Sequence, residues 1–163
     1  MSCAVLGLGA NQGEREETLR RAVAAVAALP DTRVADLSPL YETDPVGYLE
    51  QPAFLNMVVL VETGLSPHAL LGACLGIEAG LGRRRTFRNA PRVIDIDVLL
   101  YEGVRSAEPE LSLPHPRMGE RAFVLVPLET LFPGGEIFGF DFSAQIRGIC
   151  RNGVRKYGEK PDW

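Results

Sequence analysis

The chain has 163 residues, of which 46% are hydrophobic. This length supports one substantial core and is short for two, so we expect a single domain over residues 1–163. Its 17 basic and 21 acidic residues give a net charge of −4, which argues against a general nucleic-acid binder.

A strand is predicted at residues 3–8 from its unbroken apolar run, and a helix at 14–29 from its apolar stripe and its acidic first turn. Further strands are expected at 33–43 and 54–62. The loop between them, 44–52, contains two prolines and a glycine, which exclude regular structure. Loops of this length on a rigid sheet often carry binding groups.

A second helix follows, with Ser66 as its N-cap, Pro67 at its first position and an end near Gly80 or Gly82. An apolar strand is then predicted at 91–100. The order strand, helix, strand, strand, helix, strand is that of a ferredoxin-like βαββαβ core, which is an α+β fold with a mainly antiparallel sheet and helices on one face.

The C-terminal extension is less regular. A proline-bracketed turn is expected at 112–118, and the apolar run at 123–131 fits either a helix or a strand. A last helix is predicted at 143–151.

The cysteines and the apolar runs bear on the compartment. Cys3, Cys74 and Cys150 are odd in number, widely spaced and lack a C-x-x-C pair, so they favour neither a disulfide framework nor a zinc site. No basic region precedes the first apolar run, and no segment approaches the ~20 apolar residues of a membrane span. We therefore expect a cytoplasmic protein without membrane association, and we take a monomer as the default.

Two acidic residues interrupt the strand at 91–100. Residues i and i+2 of a strand share a face about 6.5 Å apart, so Asp95 and Asp97 point the same way and Ile96 points to the other face. At roughly 6 Å and an effective dielectric near 20, two such anions repel by about 3 kcal/mol and need a cation or a shared proton. Magnesium suits paired carboxylates beside substrate phosphates. The alternative is a pair that forms salt bridges with nearby arginines.

Five arginines lie just before this strand. Guanidinium groups match phosphate oxygens in a bidentate way, so a cluster beside a metal site indicates a polyphosphate substrate. Taken alone, the cluster also fits a solvated basic loop. Together the two features favour a nucleotide site. The arginines are Arg83, Arg84, Arg85, Arg88 and Arg92.

A series of motifs, in matching order and spacing from residue 5 to about residue 128, resembles one family, 6-hydroxymethyl-7,8-dihydropterin pyrophosphokinase. The resemblance implies a ferredoxin-like domain that uses two magnesium ions to move the β,γ-diphosphate of ATP onto a pterin hydroxymethyl group, releasing AMP in folate synthesis. The motifs are Gly9-Ala10-Asn11, Tyr41-Glu42-Thr43-Asp44-Pro45, Gln51-Pro52-Ala53-Phe54-Leu55-Asn56, Ile77-Glu78, the arginine stretch into Asp95-Ile96-Asp97, and Leu113-Pro114-His115-Pro116-Arg117-Met118 followed by Arg121-Ala122-Phe123.

The resemblance implies a role for several residues in binding the pterin. Phe54 and Phe123 match two aromatic positions that sandwich the ring, which offset stacking suits. Asn56, with the backbone around Thr43 and Val46, matches the positions at the polar edge of the pterin. Apart from the resemblance, either phenylalanine could equally be a core residue.

It also implies a magnesium and ATP half of the site. Asp95 and Asp97 match metal-bridging aspartates, and Arg83 and Arg92 are expected to act with them in catalysis. Further ATP contacts are implied for Glu78, Arg85, Arg88, His115 and Arg121.

Three positions depart from the family pattern. Asn89 stands where many members carry a tryptophan that helps to cover the pterin. Leu75 and Glu110 replace polar or basic residues at ATP-contacting positions. The arginine stretch is also slightly shorter than in some members, which leaves open which arginine contacts which phosphate.

Two other functions fit parts of the sequence. Another magnesium-dependent nucleotidyl or phosphoryl transferase would share the acidic strand without needing Phe54, Asn56 and Phe123. A ligand-binding or regulatory module could share the βαββαβ order, because that order carries no function by itself, but it would leave the acidic pair unexplained.

Overall fold

The structure, a computed structural model, describes residues 1–82 and 93–163 and builds them around one antiparallel sheet. In chain order the elements are β1 (Ser2–Ala10), α1 (Arg15–Ala27), β2 (Thr32–Leu37), β3 (Leu40–Thr43), β4 (Phe54–Thr63), α2 (Pro67–Gly80), β5 (Asp95–Tyr101), β6 (Ser106–Glu108), β7 (Leu111–Leu113), a 3-10 turn (Met118–Glu120), α3 (Ala122–Leu131), β8 (Glu136–Ile137), β9 (Phe140–Asp141), α4 (Ser143–Gly148) and β10 (Val154–Gly158).

Within these ranges six strands form the main sheet, in the order β10-β3-β4-β1-β5, and β2 pairs with the far end of β4. Every neighbouring pair is antiparallel. Helices pack on this sheet, so the predicted α+β class is confirmed.

The central strands have apolar side chains on both faces. Leu6 of β1 packs with α1 and α2 on one face, whereas Val5 and Val58 pack with α3 and α4 on the other. The prediction of helices on one face is therefore correct for α1 and α2. It does not include the second helical layer, formed by α3 and α4 on the other face. That layer is required because an apolar sheet face must be covered.

The first two helices begin and end close to their predicted positions. The Ser66 hydroxyl accepts a hydrogen bond from the N–H of Ala69 at 3.2 Å, and α2 ends at Gly80. The first helix is slightly shorter than predicted, because Glu14 is its N-cap and Ala28 its C-cap. Among the described helices, none combines the length and apolar character needed to traverse a bilayer.

The predicted strand at 33–43 is wrong in one respect, since it breaks at Ser38 and Pro39 into β2 and β3. Proline has no N–H to donate to the ladder. The buried Ser38 replaces that contact: its N–H donates to the Val58 carbonyl, and its hydroxyl accepts from the Val58 N–H, both at 2.9 Å.

The C-terminal part differs most from expectation. The run at 123–131 is a helix, α3, although Pro127 lies inside it. The predicted helix at 143–151 ends at Gly148, and after a turn in which Gly153 has φ of 79° the chain continues into the unpredicted strand β10. The hairpin of β6 and β7 also lies outside the predicted elements.

We expect Ser38→Ala to lower the free energy of unfolding by about 1–3 kcal/mol, because it leaves the buried Val58 N–H without its acceptor. Urea denaturation followed by circular dichroism measures the change. Ser106→Ala, which removes a hydroxyl acceptor from the exposed β6–β7 hairpin, is the matched control. Equal stability of the two variants would contradict the assigned role of Ser38.

Candidate active site

A row of paired residues crosses the sheet near the start of α3. Gly9 of β1 lies between Asn56 of β4 and Asp95 of β5, and Gly7 pairs with Asp97 one step along the strands. Because glycine has no side chain, β1 presents bare backbone between the amide and the carboxylates. Two strand spacings separate Asn56 from Asp95, or about 10 Å between Cα atoms.

This row is the floor of a cleft of about 1000 Å³. The volume is at the upper end of the range usual for ligand sites, so the cleft has room for two small molecules. Every predicted site residue within the described ranges lines it. They are Thr43, Val46, Phe54, Asn56, Glu78, Asp95, Asp97, His115, Arg121 and Phe123.

The remaining predicted residues are not covered by the structure. Residues 83–92 lie outside the described ranges. The expectations for Arg83, Arg85, Arg88 and Arg92, and for the departure at Asn89, therefore stay predictions.

A buried polar pair forms one half of the floor. Thr43 and Asn56 are 3% and 8% exposed, and the Thr43 hydroxyl donates to the Asn56 Oδ1 atom at 2.6 Å. The Asn56 Nδ2 atom donates to the Leu8 carbonyl at 3.4 Å. These contacts fix which end of the amide is donor and which is acceptor, so the site offers an ordered polar edge to a ligand.

This arrangement depends on the absence of a side chain at Gly9. A Cβ atom there would lie 2.5 Å from the Asn56 Nδ2 atom and 3.8 Å from the Phe54 ring. The Asn56 amide therefore occupies the space above the β1 backbone that any other residue at position 9 would fill.

The acidic half of the floor lies on the edge strand β5. Asp95 and Asp97 are half-buried, while Ile96 and Val98 are buried on the opposite face with α1 and α2. The side chain of Glu78, only 3% exposed, accepts a hydrogen bond from the N–H of Ile96 at 2.7 Å. Glu78 thus holds the stretch of strand that carries both aspartates.

The donor chemistry of this half suits a hard cation. Asp95 and Asp97 offer carboxylate oxygens from one face of one strand, which is the ligand type that magnesium prefers. The nearby Cys74 thiol offers no competing soft ligand, because burial, with the negative charge of Glu78 and Asp97, raises its pKa to about 12. The residues present therefore fit a magnesium site.

His115, Arg117 and Arg121 form another side of the cleft. Burial, the positive charge of Arg121 and that of Arg117 lower the pKa of His115, with Asp95 acting in the opposite direction. The ring is therefore neutral at pH 7. Its Nδ1 atom accepts from the N–H of Arg117 at 3.3 Å, which leaves Nε2–H as a donor. The Arg121 guanidinium lies 5.4 Å from the centroid of the Phe123 ring.

Part of the cleft was not predicted from the sequence. Ile149, Cys150, Asn152 and Val154, from the connection after α4 and the start of β10, form a further wall. They follow the last recognised motif, and no pattern among them indicates a site. Leu75 and Glu110, two of the departures from the family pattern, also line the cleft, as does Gly9.

Comparison with known proteins gives one consistent match. Residues 5–133 match the family model for 7,8-dihydro-6-hydroxymethylpterin-pyrophosphokinase. The 2-amino-4-hydroxy-6-hydroxymethyldihydropteridine pyrophosphokinase of Methylorubrum extorquens is 51% identical over 156 residues, which cover 96% of this chain and 99% of that one. The protein of the same name from Bacillus subtilis is 47% identical over 125 residues, 77% of this chain and 75% of its own.

Solved structures share the fold at low sequence identity. A wild-type HPPK-DHPS chain of Plasmodium falciparum superposes with a TM-score of 0.68 at 14% identity, over 96% of this chain and 47% of that one. An HPPK-DHPS chain in complex with substrates gives 0.65 at 15% identity, over 90% and 43%. The chain thus spans less than half the length of these solved chains.

We expect Gly9→Ala to lower the free energy of unfolding by about 1–3 kcal/mol, because the added methyl group must displace the buried Asn56 amide from Thr43. Chemical denaturation measures the free energy of unfolding of the variant and of the wild-type protein. The matched control is Gly72→Ala on α2, where a Cβ atom meets nothing within 4 Å and alanine should stabilise the helix. A stabilised Gly9→Ala variant would contradict the packing described.

Proposed function

Because the chain belongs to the 7,8-dihydro-6-hydroxymethylpterin-pyrophosphokinase family, we propose that it transfers the β,γ-diphosphate of ATP to the hydroxymethyl group of 6-hydroxymethyl-7,8-dihydropterin. The products are the pterin diphosphate and AMP, in folate biosynthesis. The observation that carries the proposal is the joining of an ordered amide edge and a carboxylate pair in one cleft.

The pterin is proposed to bind at the Thr43–Asn56 end. A pterin has donors and acceptors side by side along one edge, and the fixed amide of Asn56 can pair with such an edge. Phe54, Phe123 and Val46 line the same cleft, and the two phenylalanine rings are proposed to stack on the flat pterin ring.

ATP is proposed to bind toward β5 and α2. His115 can donate from Nε2 to a phosphate or ribose oxygen, and Arg121 supplies a permanent positive charge. Glu78 is proposed as a further ATP contact in addition to its bond to the β5 backbone. Arg83, Arg85, Arg88 and Arg92 are proposed to bind the phosphates.

Asp95 and Asp97 are proposed to hold two magnesium ions. Bound magnesium would neutralise part of the triphosphate charge and stabilise the charge that develops during transfer. The protein's own task is then to fix geometry: the Asn56 edge orients the pterin so that its hydroxyl faces the β-phosphorus, and the cleft walls exclude water.

In the proposed transfer, the protein itself takes little part in making and breaking covalent bonds. The pterin hydroxyl oxygen forms a bond to the β-phosphorus and loses its proton, which is released to solvent, as the bond from that phosphorus to the AMP oxygen breaks. Arg83 and Arg92 are proposed to stabilise the negative charge on the departing and transferred groups together with the aspartates.

The wider assignments follow from the same proposal. The strand order and the helix connections support a ferredoxin-like core for the single domain at 1–163. We further propose a monomer that works in the cytoplasm on small-molecule substrates and has no nucleic-acid partner.

The direct test mixes the protein with ATP, magnesium and 6-hydroxymethyl-7,8-dihydropterin. We expect AMP and pterin diphosphate in equal amounts, and no AMP when the pterin is omitted. Chromatography separates AMP from ADP. Release of ADP, or turnover without the pterin, would instead indicate another phosphoryl or nucleotidyl transferase.

We expect Asp97→Ala to lower kcat by about 10³-fold or more, because it removes a ligand for the cation that acts on the transferring group. Pterin binding, measured by calorimetry, should survive because Asn56 and the aromatic residues remain. Asp36→Ala, which breaks a surface ion pair with Lys160 on the same sheet, is the control. A near wild-type rate for Asp97→Ala would remove that aspartate from the proposed mechanism.

A further inference from the structure

The segment 44–53 joins β3 to β4 and borders the proposed pterin site. Thr43 and Phe54, directly at its two ends, line the cleft, as does Val46 within it. However, Val46 is 61% exposed and Leu49 is 72% exposed, so burial of these side chains contributes little to holding the segment. Polar contacts at the two ends of the segment contribute more to holding it in place.

Arg15, the first residue of α1, connects the two ends of the segment. Its Nη1 atom donates to the carbonyl of Ala53 at 3.0 Å, just before β4 begins. Its Nη2 atom donates to the Oε2 atom of Glu42 at 2.8 Å, one residue before Thr43. One rigid guanidinium group therefore bridges the two ends of the segment, beside the ladder that pairs Thr43 with Phe54.

Arg155 of β10 extends this network to the start of the segment. Its Nε and Nη2 atoms donate to the Oε1 atom of Glu42 at 3.2 and 2.9 Å. Its Nη1 atom donates to the Oδ1 atom of Asp44 at 3.0 Å. The two arginines and two carboxylates alternate in sign, so each carboxylate of the network has at least one cationic partner.

The turn before β10 is shaped around the same aspartate. The N–H of Asp44 donates to the carbonyl of Gly153 at 2.8 Å. Gly153 has φ of 79°, and a Cβ atom there would lie 2.8 Å from the Asp44 Oδ2 atom. Only glycine combines this backbone conformation with so close an approach.

The four residues of the network, Arg15, Glu42, Asp44 and Arg155, are not among the described residues that line the cleft, so any effect of the network on the substrates is indirect. Successive side chains of a strand alternate between faces, so Glu42 lies on the face of β3 opposite Thr43. The Arg15 and Glu42 side chains are only 23% and 25% exposed, which makes their ion pair less screened than one in open solvent. The hydrogen bonds from Arg15 and then Arg155 lower the pKa of Glu42, so it is charged at neutral pH.

We propose that Arg15 and Arg155 are positioning residues that hold segment 44–53 in the conformation that binds the pterin. Their loss weakens pterin binding and spares ATP binding, whose proposed residues within the described ranges lie on α2, on β5, at His115 after β7 and at the N-cap of α3. The inference rests on the proposed function and adds β10, which lies beyond the residues 5–133 of the family match, to the substrate-specific part of the protein.

The test compares Arg15→Gln and Arg155→Gln with Arg33→Gln, which breaks the exposed Arg33–Glu62 pair elsewhere on the same sheet. Steady-state kinetics give KM for the pterin at saturating ATP and KM for ATP at saturating pterin. Calorimetry with magnesium and a non-hydrolysable ATP analogue gives the pterin Kd separately from turnover. Thermal melting verifies that each variant is folded at the assay temperature.

We expect Arg15→Gln to raise the pterin KM and Kd about tenfold and to leave the ATP KM within about twofold. Because the Arg155 side chain is 49% exposed, Arg155→Gln should raise the pterin KM and Kd only about threefold. Arg15→Lys should fall between wild type and Arg15→Gln, because an ammonium group can reach one of the two acceptors. Arg33→Gln should match wild type.

An unchanged pterin KM in folded Arg15→Gln, or an equal rise in both KM values, would overturn the positioning role. If Arg15→Gln does not fold, the same two constants for Arg155→Gln decide the matter. Failure of the proposed function is distinct, because it would appear as absence of pterin-dependent AMP from the wild-type protein.

Discussion

The register between β1 and β4 is the constraint on which the core and the cleft both depend. These strands pair over nine residues, from Ser2 opposite Thr63 to Ala10 opposite Leu55. A slip of one residue would move Asn56 into the apolar layer beneath α1 and α2, because side chains alternate with a period of two. Apolar side chains are buried on both faces of both strands, so hydrophobic packing against two helical layers fixes the register.

The positions of Asn56, Asp95 and Asp97 in the cleft follow from the hydrophobic packing of the strands that carry them. Gly7 and Gly9 follow the alternation of β1 and carry no side chain, which leaves space for Leu99 over Gly7 and for Asn56 over Gly9. The aspartates need no special fold to face the same way. They occupy the non-core positions of a strand whose Ile96 and Val98 are held in the interior.

Prediction from the sequence is most accurate where one local signal determines the structure. The Ser66-Pro67 start of α2 depends on local capping, and the common face of Asp95 and Asp97 depends on strand alternation, so both follow from a few neighbouring residues. The class of fold follows from the order of such signals. Asp95 and Asp97 follow from strand alternation and charge as well as from motif resemblance, whereas the other eight described site residues come from the resemblance. The gathering of all ten in one cleft agrees with it without testing their roles.

Prediction fails where distant residues decide the structure. The break at Ser38 depends on a hydrogen bond to Val58 on another strand. The strand β10 contains Arg155 and Lys156 and has no apolar alternation, because it lies at the sheet edge and is stabilised by pairing with β3. Pro39 marks the break locally, but the partners on β4 and β3 that complete these features are distant in the chain.

The pairing of β10 with β3 also affects the order in which the molecule is assembled. Arg155 and Glu42 are separated by 113 positions in the chain, so closing this edge carries a large loop-closure entropy. During vectorial synthesis, β1, β4 and the first helices leave the ribosome well before residues 154–158 do. The floor of the cleft can therefore form early, whereas the wall beside segment 44–53 is completed only when β10 emerges.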